Sequence, residues 1–500
     1  MRSATPSTSR LHHPWWSLVL VAAGAWVLRI AGFFHRGGAL GHPVDYDEGV
    51  YFSAAALLSH GLLPYRDYFF VHPPGIAVLL APVAALARGF DAALTFTVVR
   101  WLVPGFGALS ALLSGRIAQE QWGVRAGVVA ALAYAVFPEA AATERGPFLE
   151  ALLNLTCLAM AWVSLRPGSD VSSWRRDLLA GALLATACAI KLTAGAWVIA
   201  MVWALSLAGQ GRRALRVVLV AAVVGLLWLG PFFALAPAAM FDGLLRFQLL
   251  RPPDGEPDVW QRLLMILGEG RTGLSALCLW GLVVALARTC RREAVAERLF
   301  SAAWLLTVAT FLSSKSYWTQ YNAHLAPTMA VLAGLGASVL LRWADTRSRK
   351  QAALVTATVM LIALSPLPAA IRSANQRDRF LLTLGHTLRV AVPGDSALCT
   401  FEPAWAIAAG RLPGIPRGAP VLVDPYGLML NDALGTPGRF ANAGAAFEDE
   451  RSQRTMLPLL SRCDYLVLEG RGEWQLSSAS ERWVQEHFVR EGTFWRRATK

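Results

Sequence analysis

Long apolar stretches alternate with short polar segments along most of the chain, up to about residue 371. Most of these stretches approach the roughly 20 residues that a helix needs to cross a bilayer. We therefore predict a polytopic α-helical membrane protein with about eleven transmembrane helices. The predicted spans are residues 15–34, 93–115, 124–141, 147–165, 177–192, 194–208, 214–235, 271–289, 298–313, 323–342 and 352–371.

The placement of arginine predicts which ends of these spans face the cytoplasm. The arginine-rich gaps come out on one side of the membrane only if residues 75–90 do not cross it. That segment is short for a span and contains Pro82, so we expect an interfacial helix there. The first span carries Arg29 and lacks a small-residue cleavage site, which favours a retained helix over a signal peptide. The positive-inside rule then puts the N-terminus in the cytoplasm of a protein of the cell (inner) membrane.

The same topology predicts that the remaining polar segments share the extracytoplasmic face. They are the loop after the first span, Glu144–Arg145, residues 236–270, residues 315–324 and everything after about residue 374. These segments are far apart in sequence. Ionisable groups that converge at one membrane face are a candidate functional site.

The chain becomes polar at about residue 374. Strand-like runs (SALCTF, APVLVDP, DYLVLEG) and a helix-like run (SASERWVQEHF) predict a small α/β domain. We expect a transmembrane domain over 1–373 and an extracytoplasmic domain over 374–500, since an odd number of spans precedes it. Cys399 and Cys463 begin two predicted strands. A disulfide between them suits that compartment, and two buried free thiols are the alternative.

Composition agrees with a membrane protein and changes how the charge is interpreted. Hydrophobic residues make up 55% of the chain and charged residues 16%, and the net charge is +13. The mean hydropathy is +0.44. No basic face interleaved with aromatic residues is evident, so we expect no nucleic-acid binding. The six cysteines show neither a CxxC motif nor a zinc-binding spacing.

The loop after the first span, DYDEGVYFSAAALLSHGLLPYRDYFFVHPP, is unusually rich in ionisable residues. A structural interpretation of its start is a capping box, with Asp45 as the N-cap, Glu48 at N3 and Gly61 as the stop. A functional interpretation is that Asp47 and Glu48, at the mouth of an apolar bundle, supply a general base or a metal ligand. The local pattern leaves both open.

This loop, from DEGVYF to VHPPG, resembles the first outer loop of the polyprenyl-phosphate-dependent integral-membrane glycosyltransferases of the GT-C fold. That family includes the protein O-mannosyltransferases and the enzymes that add aminoarabinose to lipid A. In it, an acidic Asp–Glu motif lies on an interfacial helix after the first span, and a second interfacial helix follows. The resemblance covers residues 15–371. It implies a glycosyltransferase that takes a hexosyl or pentosyl group from a lipid-phosphate donor.

The resemblance also implies roles for individual residues. Asp47 and Glu48 match the catalytic pair, with Asp47 as the base. Glu150, in PFLEALLNL, is similar to a second acidic position that begins a later helix in relatives. Some relatives have Lys–Pro before the second interfacial helix, where this chain has His72–Pro73. We predict that Tyr51, His72 and Glu150 contact the substrate.

Several cations near the outer ends of the helices are candidate ligands for the donor phosphate. For Arg145 the alternative is a snorkelling pair with Glu144, which we otherwise expect to contact the substrate. The same alternative applies to Lys191, a residue type that this chain rarely uses. The four candidate cations are Arg66, Arg145, Lys191 and Lys315.

The segment SSKSYWTQYNAHLAP adds two further candidates for substrate contact, Tyr321 and His324. An aromatic belt explains its tyrosines and tryptophan, but it does not explain Lys315 or His324. Glu48, His72 or His324 could position a divalent metal, although no ligand spacing demands one. An earlier outer loop, FQLLRPPDGEPDVWQRLL, could fold over a lipid-linked donor or be only a surface connector.

These parts predict a mechanism. A sugar on polyprenyl phosphate already has a good leaving group, so catalysis needs cations, a base and alignment. With Asp47 removing the proton of the acceptor hydroxyl, the sugar would be transferred with inversion to a protein, lipid or glycan acceptor. A transporter or lipid flippase with a one-sided polar site is the alternative, although such proteins usually show internal repeats. A membrane scaffold whose outer domain binds a partner is a third possibility.

Overall fold

The computed structural model describes residues 15–34, 40–166, 173–268, 270–375, 379–435 and 439–498. Eighteen α-helices precede residue 375. They are α1 (Trp15–Ala31), α2 (Tyr46–Ser59), α3 (Gly75–Ala84), α4 (Ala92–Trp122), α5 (Val124–Ala135), α6 (Pro138–Thr143), α7 (Leu149–Leu165), α8 (Ser173–Ile190), α9 (Gly195–Leu207), α10 (Gly211–Leu235), α11 (Pro237–Phe241), α12 (Phe247–Leu250), α13 (Val259–Leu267), α14 (Thr272–Arg288), α15 (Val295–Ser313), α16 (Ala326–Asp345), α17 (Arg349–Leu364) and α18 (Leu367–Ala374).

Six helical segments in the described part of the chain are long and apolar enough to cross a membrane, and a bent pair over 259–288 would make seven. The six are Trp15–Phe34, Ala92–Trp122, Gly211–Leu235, Val295–Ser313, Thr319–Asp345 and Arg349–Ala374. The other predicted spans coincide with the shorter apolar helices α5, α7 and α9 and with α8. The chain is therefore an integral membrane protein by its helices, and the number of about eleven spans stays a prediction.

Two helices flank the loop that follows the first span. Helix α2 begins directly after Asp45, and α3 together with a 3-10 turn over Ala85–Arg88 occupies the segment predicted to lie at the interface. Helix α2 ends at Ser59, and Gly61 beyond it has a φ of 78°. That left-handed conformation is easily adopted by glycine, which explains why the helix stops where the sequence indicated.

The C-terminal part contains seven shorter helices and a small sheet. The helices are α19 (Arg379–Ala391), α20 (Pro403–Ala408), α21 (Pro425–Ala433), α22 (Ala443–Phe447), α23 (Met456–Leu460), α24 (Gly472–Gln475) and α25 (Ser478–His487). The strands of the chain are β1 (Asp254–Gly255), β2 (Ser316–Tyr317), β3 (Leu398–Thr400), β4 (Tyr465–Val467), β5 (Phe488–Glu491) and β6 (Phe494–Arg497). The order of the four-stranded sheet is β3-β4-β6-β5, with β3 and β4 parallel and the other pairs antiparallel.

Two of the three strand-like runs form strands, in β3 and β4, and SASERWVQEHF forms α25. The prediction for APVLVDP was wrong: residues 419–424 form no strand, and Asp424 instead caps α21 by accepting a hydrogen bond from the Gly427 amide. Cys399 and Cys463 form a disulfide, which links β3 to the segment before β4. The alternative of two free thiols is thereby excluded.

A close contact between α2 and α20 holds the C-terminal part against the loop that carries the acidic pair. A Cβ atom placed on Gly49 would lie 2.6 Å from the Ala404 nitrogen, so only glycine allows this approach. A second short connection is the parallel pair of β1 and β2, which joins the loop after α12 to the segment after α15. Together they draw distant segments to one end of the bundle.

Candidate functional site

A cavity of about 630 Å³ lies where these segments meet. Both the membrane helices and the C-terminal part line it, and its wall is part apolar and part ionisable. The wall contains Trp318 and a set of ionisable residues, which are Asp45, Tyr46, Asp47, Tyr51, His72, Glu150, Lys191, Arg251, Asp254, Tyr321, Asp424, Tyr426 and Arg471. The structure thus brings together at one site several of the polar segments that were expected to share one face of the membrane.

Asp47 lies at the second position of α2 and lines the cavity. The helix start is fixed by Asp45, whose carboxylate accepts a hydrogen bond of 2.9 Å from the Asp47 backbone amide. Burial and the neighbouring Asp45 carboxylate raise the pKa of Asp47 to about 7, and Glu150 and Asp424 act in the same direction. A carboxyl group with such a pKa can accept a proton at neutral pH, as a general base must.

Glu48, the other member of the predicted pair, points away from this cavity. Its side chain is fully buried and forms a salt bridge of 2.9 Å with Arg100. The same carboxylate accepts a hydrogen bond of 2.6 Å from the Val44 amide, one residue before the N-cap. The expected capping box is therefore only approximated. A Cβ atom on Gly146 would clash with Glu48, so that glycine leaves room for the buried carboxylate.

Lys191 and Glu150 form an ion pair inside the cavity. The ammonium lies 2.7 Å from the Glu150 carboxylate and 4.3 Å from the centre of the Tyr321 ring. Glu150 is in the first turn of α7, and Lys191 follows the end of α8. All three residues line the cavity, and all three were among the candidate site residues of the sequence analysis. A partly shielded cation of this kind is a ready ligand for an anionic group.

His72 lies against Tyr51, whose hydroxyl is 3.1 Å from the His72 Nε2 atom. The Tyr65 hydroxyl donates a hydrogen bond of 2.5 Å to the His72 carbonyl, so the loop around the ring is held from two sides. Burial lowers the pKa of His72 to about 3, and the charges of Lys191 and Arg251 contribute. His72 is therefore neutral at physiological pH, and the two cations flank it.

Arg251 and Asp254 close the cavity from the loop after α12. They form a salt bridge of 2.8 Å, and the Tyr426 hydroxyl donates a hydrogen bond of 2.5 Å to the same Asp254 oxygen. Arg251 is 9% exposed, and its Nε has no hydrogen-bond partner within the described residues. Arg251 lines the cavity, and a guanidinium in such a wall is well suited to bind a phosphate.

The C-terminal part contributes three side chains that the sequence analysis did not select. The Tyr46 hydroxyl donates a hydrogen bond of 2.7 Å to the Asp424 carboxylate, and the Tyr426 amide donates to the same hydroxyl at 3.2 Å. The Arg471 guanidinium lies 4.1 Å from the centre of the Tyr46 ring and 5.2 Å from that of Tyr426. These contacts seat the C-terminal part on the start of α2.

The sequence offered a weak signal for one of these three residues. The run DPYG, from Asp424 to Gly427, is typical of a turn, and Asp424 is the N-cap of α21, but a cap can also present a carboxylate to a cavity. For Arg471, in the run EGRGEW, no local pattern separates it from the other surface arginines of the C-terminal part. Only the tertiary packing on Tyr46 identifies it.

Six of the twelve predicted site residues do not line the cavity, and three of these are cations. Arg66 pairs with the adjacent Asp67, and its side chain is 42% exposed. Lys315 donates a hydrogen bond of 2.9 Å to the Leu249 carbonyl. Arg145 donates to the carbonyls of Ala142 and Ala374.

Glu144 and His324 belong to a buried polar cluster next to the cavity, together with Arg29. The Glu144 carboxylate accepts hydrogen bonds of 2.6 and 2.9 Å from Arg29 and one of 2.5 Å from Tyr134. The His324 Nδ1 atom is 3.0 Å from the Asn154 side chain, which also contacts Glu144 at 3.3 Å. This cluster joins α1, α5 and α7, so its contacts are those of a packing element of the bundle.

The residues at the cavity do not assemble a metal site. No group of three or more histidine, cysteine, aspartate or glutamate side chains within the described residues could hold a metal ion. His324 and Glu48 both lie outside the cavity, and His72 is bonded to Tyr51. The residues that we named for a divalent metal are therefore not brought together at the cavity.

Comparison with solved structures identifies the fold. ArnT from Cupriavidus metallidurans bound to undecaprenyl phosphate aligns with a TM-score of 0.61 at 16% identity, over 80% of this chain and 86% of that one. The oligosaccharyltransferase AglB from Archaeoglobus fulgidus, in complex with an inhibitory peptide and a dolichol-phosphate, gives 0.63 at 13%, over 98% and 74%. The apo form of the oligosaccharyltransferase from the same organism gives 0.60 at 14%, over 92% and 70%.

The fold is therefore the GT-C fold, as the resemblance of the first outer loop implied. Another structure of the Archaeoglobus fulgidus enzyme is a complex with Zn and sulfate, aligned with a TM-score of 0.59 at 15% identity. No protein-family model matches the sequence, and no curated protein does either. The similarity lies in the arrangement of the helices, so the roles of individual residues must be argued from their own geometry.

Proposed function

We propose that this protein transfers a hexosyl or pentosyl group from a polyprenyl-phosphate-linked donor to an acceptor hydroxyl, with Asp47 as the general base. The observation that carries the proposal is the position of Asp47. It lines a cavity that also holds Lys191 and Arg251, on a fold shared with proteins that bind undecaprenyl phosphate or dolichol-phosphate. A base and two cations in one cavity are the groups that this reaction needs.

The donor phosphate is expected to bind between Lys191 and Arg251. Both cations line the cavity, and the charges of both lower the pKa of His72. Lys191 shares its charge with Glu150, and the Nε of Arg251 has no hydrogen-bond partner among the described residues. A phosphate would receive hydrogen bonds from the Lys191 ammonium, which is a compact charge, and from the Arg251 guanidinium, which can donate two parallel hydrogen bonds.

The lipid tail has a matching apolar wall. Leu192, Ala196 and Phe311 line the cavity from the start of α9 and from α15, which are apolar helices. A polyprenyl chain placed against them would keep its phosphate at Lys191, the residue that directly precedes Leu192. The sugar would then lie toward Asp47 and the C-terminal part.

The proposed reaction is a single displacement. Asp47 removes the proton of the acceptor hydroxyl as its oxygen forms a bond to the anomeric carbon. The bond between that carbon and the phosphate oxygen breaks, and the polyprenyl phosphate leaves with the electron pair. Lys191 and Arg251 stabilise the negative charge that develops on the phosphate. Attack opposite the leaving group inverts the anomeric configuration.

Glu48 has a different role in this proposal. Glu48 is buried against Arg100 and does not line the cavity, so we propose that its role is to hold α2 in position. Arg145 is assigned to the same support, through its hydrogen bonds to Ala142 and Ala374. For Tyr51 and His72, which line the cavity, contact with the donor is retained.

The site is proposed to face the extracytoplasmic side of the cell (inner) membrane. The basic gaps between spans support a cytoplasmic position for the opposite ends of the helices. The disulfide between Cys399 and Cys463 supports the same orientation, since such bonds persist in oxidising compartments.

The test is sugar transfer from radiolabelled polyprenyl-phosphate sugars, in membranes that contain wild type or Asp47→Asn at matched expression. We expect transfer by the wild type and a loss of roughly 100-fold or more in the variant, since a general base contributes that much. Asp67→Asn is the matched control, because Asp67 is an acid of the same loop that pairs with exposed Arg66. Equal transfer by wild type and Asp47→Asn would refute Asp47 as the base, and no transfer from any donor would favour a transporter.

A further inference from the structure

A second, smaller cavity adjoins the first on the side of the C-terminal part. Its volume is about 340 Å³, and we call it the annex. Asp254, Trp318, Tyr426 and Arg471 line both the annex and the main cavity, so the two spaces share a wall. The annex is completed by Glu402, Gly470 and Trp474. A ligand that occupies both spaces would extend from Asp47 toward the C-terminal part.

Two exposed tryptophan rings border the annex. Trp474 is 47% exposed and Trp318 is 40% exposed, large values for tryptophan. Trp474 packs edge-on against Tyr426 and Phe447, with ring centres 6.1 and 5.4 Å apart. Trp318 directly follows β2, and a Cβ atom on Gly255 would lie 3.2 Å from its ring. Both rings are held in place by their neighbours while part of their surface stays open.

Most of the charged groups that line the annex are hydrogen-bond acceptors. Asp254 and Glu402 contribute carboxylates, and Arg471 is the one cation among the lining residues that the structure describes. Its guanidinium lies against the Tyr46 and Tyr426 rings and 4.0 Å from the Glu402 carboxylate. The cation is thus already matched by an acid and two aromatic faces, which leaves the annex without excess positive charge.

We propose that the annex binds a neutral sugar unit of a glycan acceptor and presents its hydroxyl to Asp47. Sugars offer apolar C–H faces and many hydroxyl groups. Open aromatic rings match the faces, and carboxylates and a guanidinium match the hydroxyls. The inference rests on the proposed transfer function and names the class of acceptor.

The same features disfavour anionic acceptors. A phosphorylated lipid or a uronic acid would find no unmatched cation in the annex, because Arg471 already lies against Glu402 and two aromatic rings. A peptide acceptor would typically use a strand edge or an apolar groove, and the annex is instead a small pocket with two open rings. These acceptors serve as the competing outcomes in the test.

The experiment uses full-length protein in nanodiscs and two readouts. The first is equilibrium binding of neutral oligosaccharides of glucose, galactose and mannose by saturation-transfer NMR, without any donor. The second is the KM for the acceptor in transfer from a polyprenyl-phosphate sugar. The variants are Trp474→Ala and Trp318→Ala, with Trp474→Phe as the conservative replacement. Trp343→Ala is the matched control. Trp343 is 51% exposed and lies near the C-terminal end of α16, whereas Trp318 precedes the start of that helix.

We expect wild type to bind a neutral oligosaccharide, and each alanine variant to raise the acceptor KM about fivefold to tenfold through the lost ring contact. Trp474→Phe should recover most of this loss, and Trp474→Ala should change the KM for the donor less than twofold, because Trp474 lines the annex and not the main cavity. Transfer only to phosphorylated lipids or to peptides would overturn the annex proposal and leave the transferase intact. If the protein binds oligosaccharide but neither transfers a sugar nor binds polyprenyl phosphate, the transferase proposal is refuted and the sugar site is retained.

Discussion

The Tyr46 hydroxyl donates a hydrogen bond of 2.7 Å to the Asp424 carboxylate, across 378 positions of the sequence. Tyr46 immediately precedes the proposed base, and Asp424 caps a helix of the C-terminal part. Burial raises the pKa of Asp424, and the donors from Tyr46 and the Gly427 amide favour its charged form. This bond therefore couples the C-terminal part to the start of α2, the helix that carries the proposed base.

We expect Tyr46→Phe to destabilise that junction. The change leaves the buried Asp424 carboxylate with one donor fewer, which costs about 1–3 kcal/mol. The midpoint of thermal unfolding in detergent should fall, and transfer should decrease because α2 is held less firmly. Tyr465→Phe is the control, since Tyr465 is a half-buried tyrosine of the C-terminal part that lies on β4 and takes no part in the contact between Tyr46 and Asp424. An unchanged midpoint for Tyr46→Phe would contradict this coupling.

The rate of transfer should depend on pH through Asp47. Burial and Asp45 raise its pKa to about 7, and only the deprotonated carboxylate can act as a base. Activity should therefore reach a plateau above pH 7 and fall about tenfold for each pH unit below it. The measurement is kcat/KM for the acceptor between pH 5.5 and 8.5, where the limits are chosen to bracket the expected pKa.

A stability measurement checks the same pKa independently of catalysis. The unfolded chain loses the Asp47 proton near the ordinary pKa of 3.8, whereas the folded protein loses it only near 7, so stability falls as the pH rises from the first value to the second and the full cost is present above pH 7. Asp47→Asn removes that cost, so its thermal midpoint should equal or exceed that of the wild type at pH 8. A lower midpoint for Asp47→Asn at pH 8 would show that the carboxylate is stabilised by the fold.

The sequence predicted the carboxylate pair but could not separate its two members. Both follow the same N-cap, and the helical period places Asp47 and Glu48 about 100° apart. Which of them faces the cavity depends on Arg100, which lies 52 positions away and takes Glu48 into the protein interior. A pairing over such a distance is a property of the helix packing.

Glu48→Gln should consequently behave as a folding defect. Removing one member of a buried ion pair leaves Arg100 uncompensated, at a cost of about 3–5 kcal/mol. We expect a low yield of folded protein on size-exclusion chromatography, and the double variant Glu48→Gln, Arg100→Met should recover part of it. Asp47→Asn is expected to fold normally and lose transfer. A well-folded, inactive Glu48→Gln protein would instead assign Glu48 to the chemistry.

The membrane helices were largely predictable from the sequence. Of the residues at the cavity, only those contributed by the membrane helices and their loops were predicted. Apolar length located the six helices of the described residues that are long enough to cross a membrane, because hydrophobicity acts locally along a helix, and the interfacial position of residues 75–90 stays a prediction. The C-terminal residues at the cavity were not identified, since Asp424 and Arg471 acquire their position by packing on Tyr46. Lys191 was found because a cation at the end of an apolar helix stands out against its surroundings.

Lys191 offers a test of donor binding. Lys191→Met should raise the KM for the polyprenyl-phosphate donor by tenfold or more, on the order of 1.4 kcal/mol, because the charge near the phosphate is lost. Lys191→Arg keeps the charge and should recover much of the affinity. The control for the loss of the ion pair is Glu150→Gln, which frees the Lys191 ammonium from its 2.7 Å partner and should not weaken donor binding. A larger effect of Glu150→Gln than of Lys191→Met on the donor KM would contradict a phosphate site at Lys191.

The orientation of the chain can be tested with its own cysteines. Cys290 is exposed and lies in a basic gap that we place in the cytoplasm, while Ala479 is exposed on α25 in the C-terminal part. A membrane-impermeant maleimide should label Cys290 only after the cells are permeabilised. A Cys290→Ser, Ala479→Cys variant should be labelled in intact cells, because we place α25 on the opposite face of the membrane. Labelling of both positions from the same side would show that the number of spans between 290 and 479 is even, which would contradict the topology that puts the proposed site on the extracytoplasmic face.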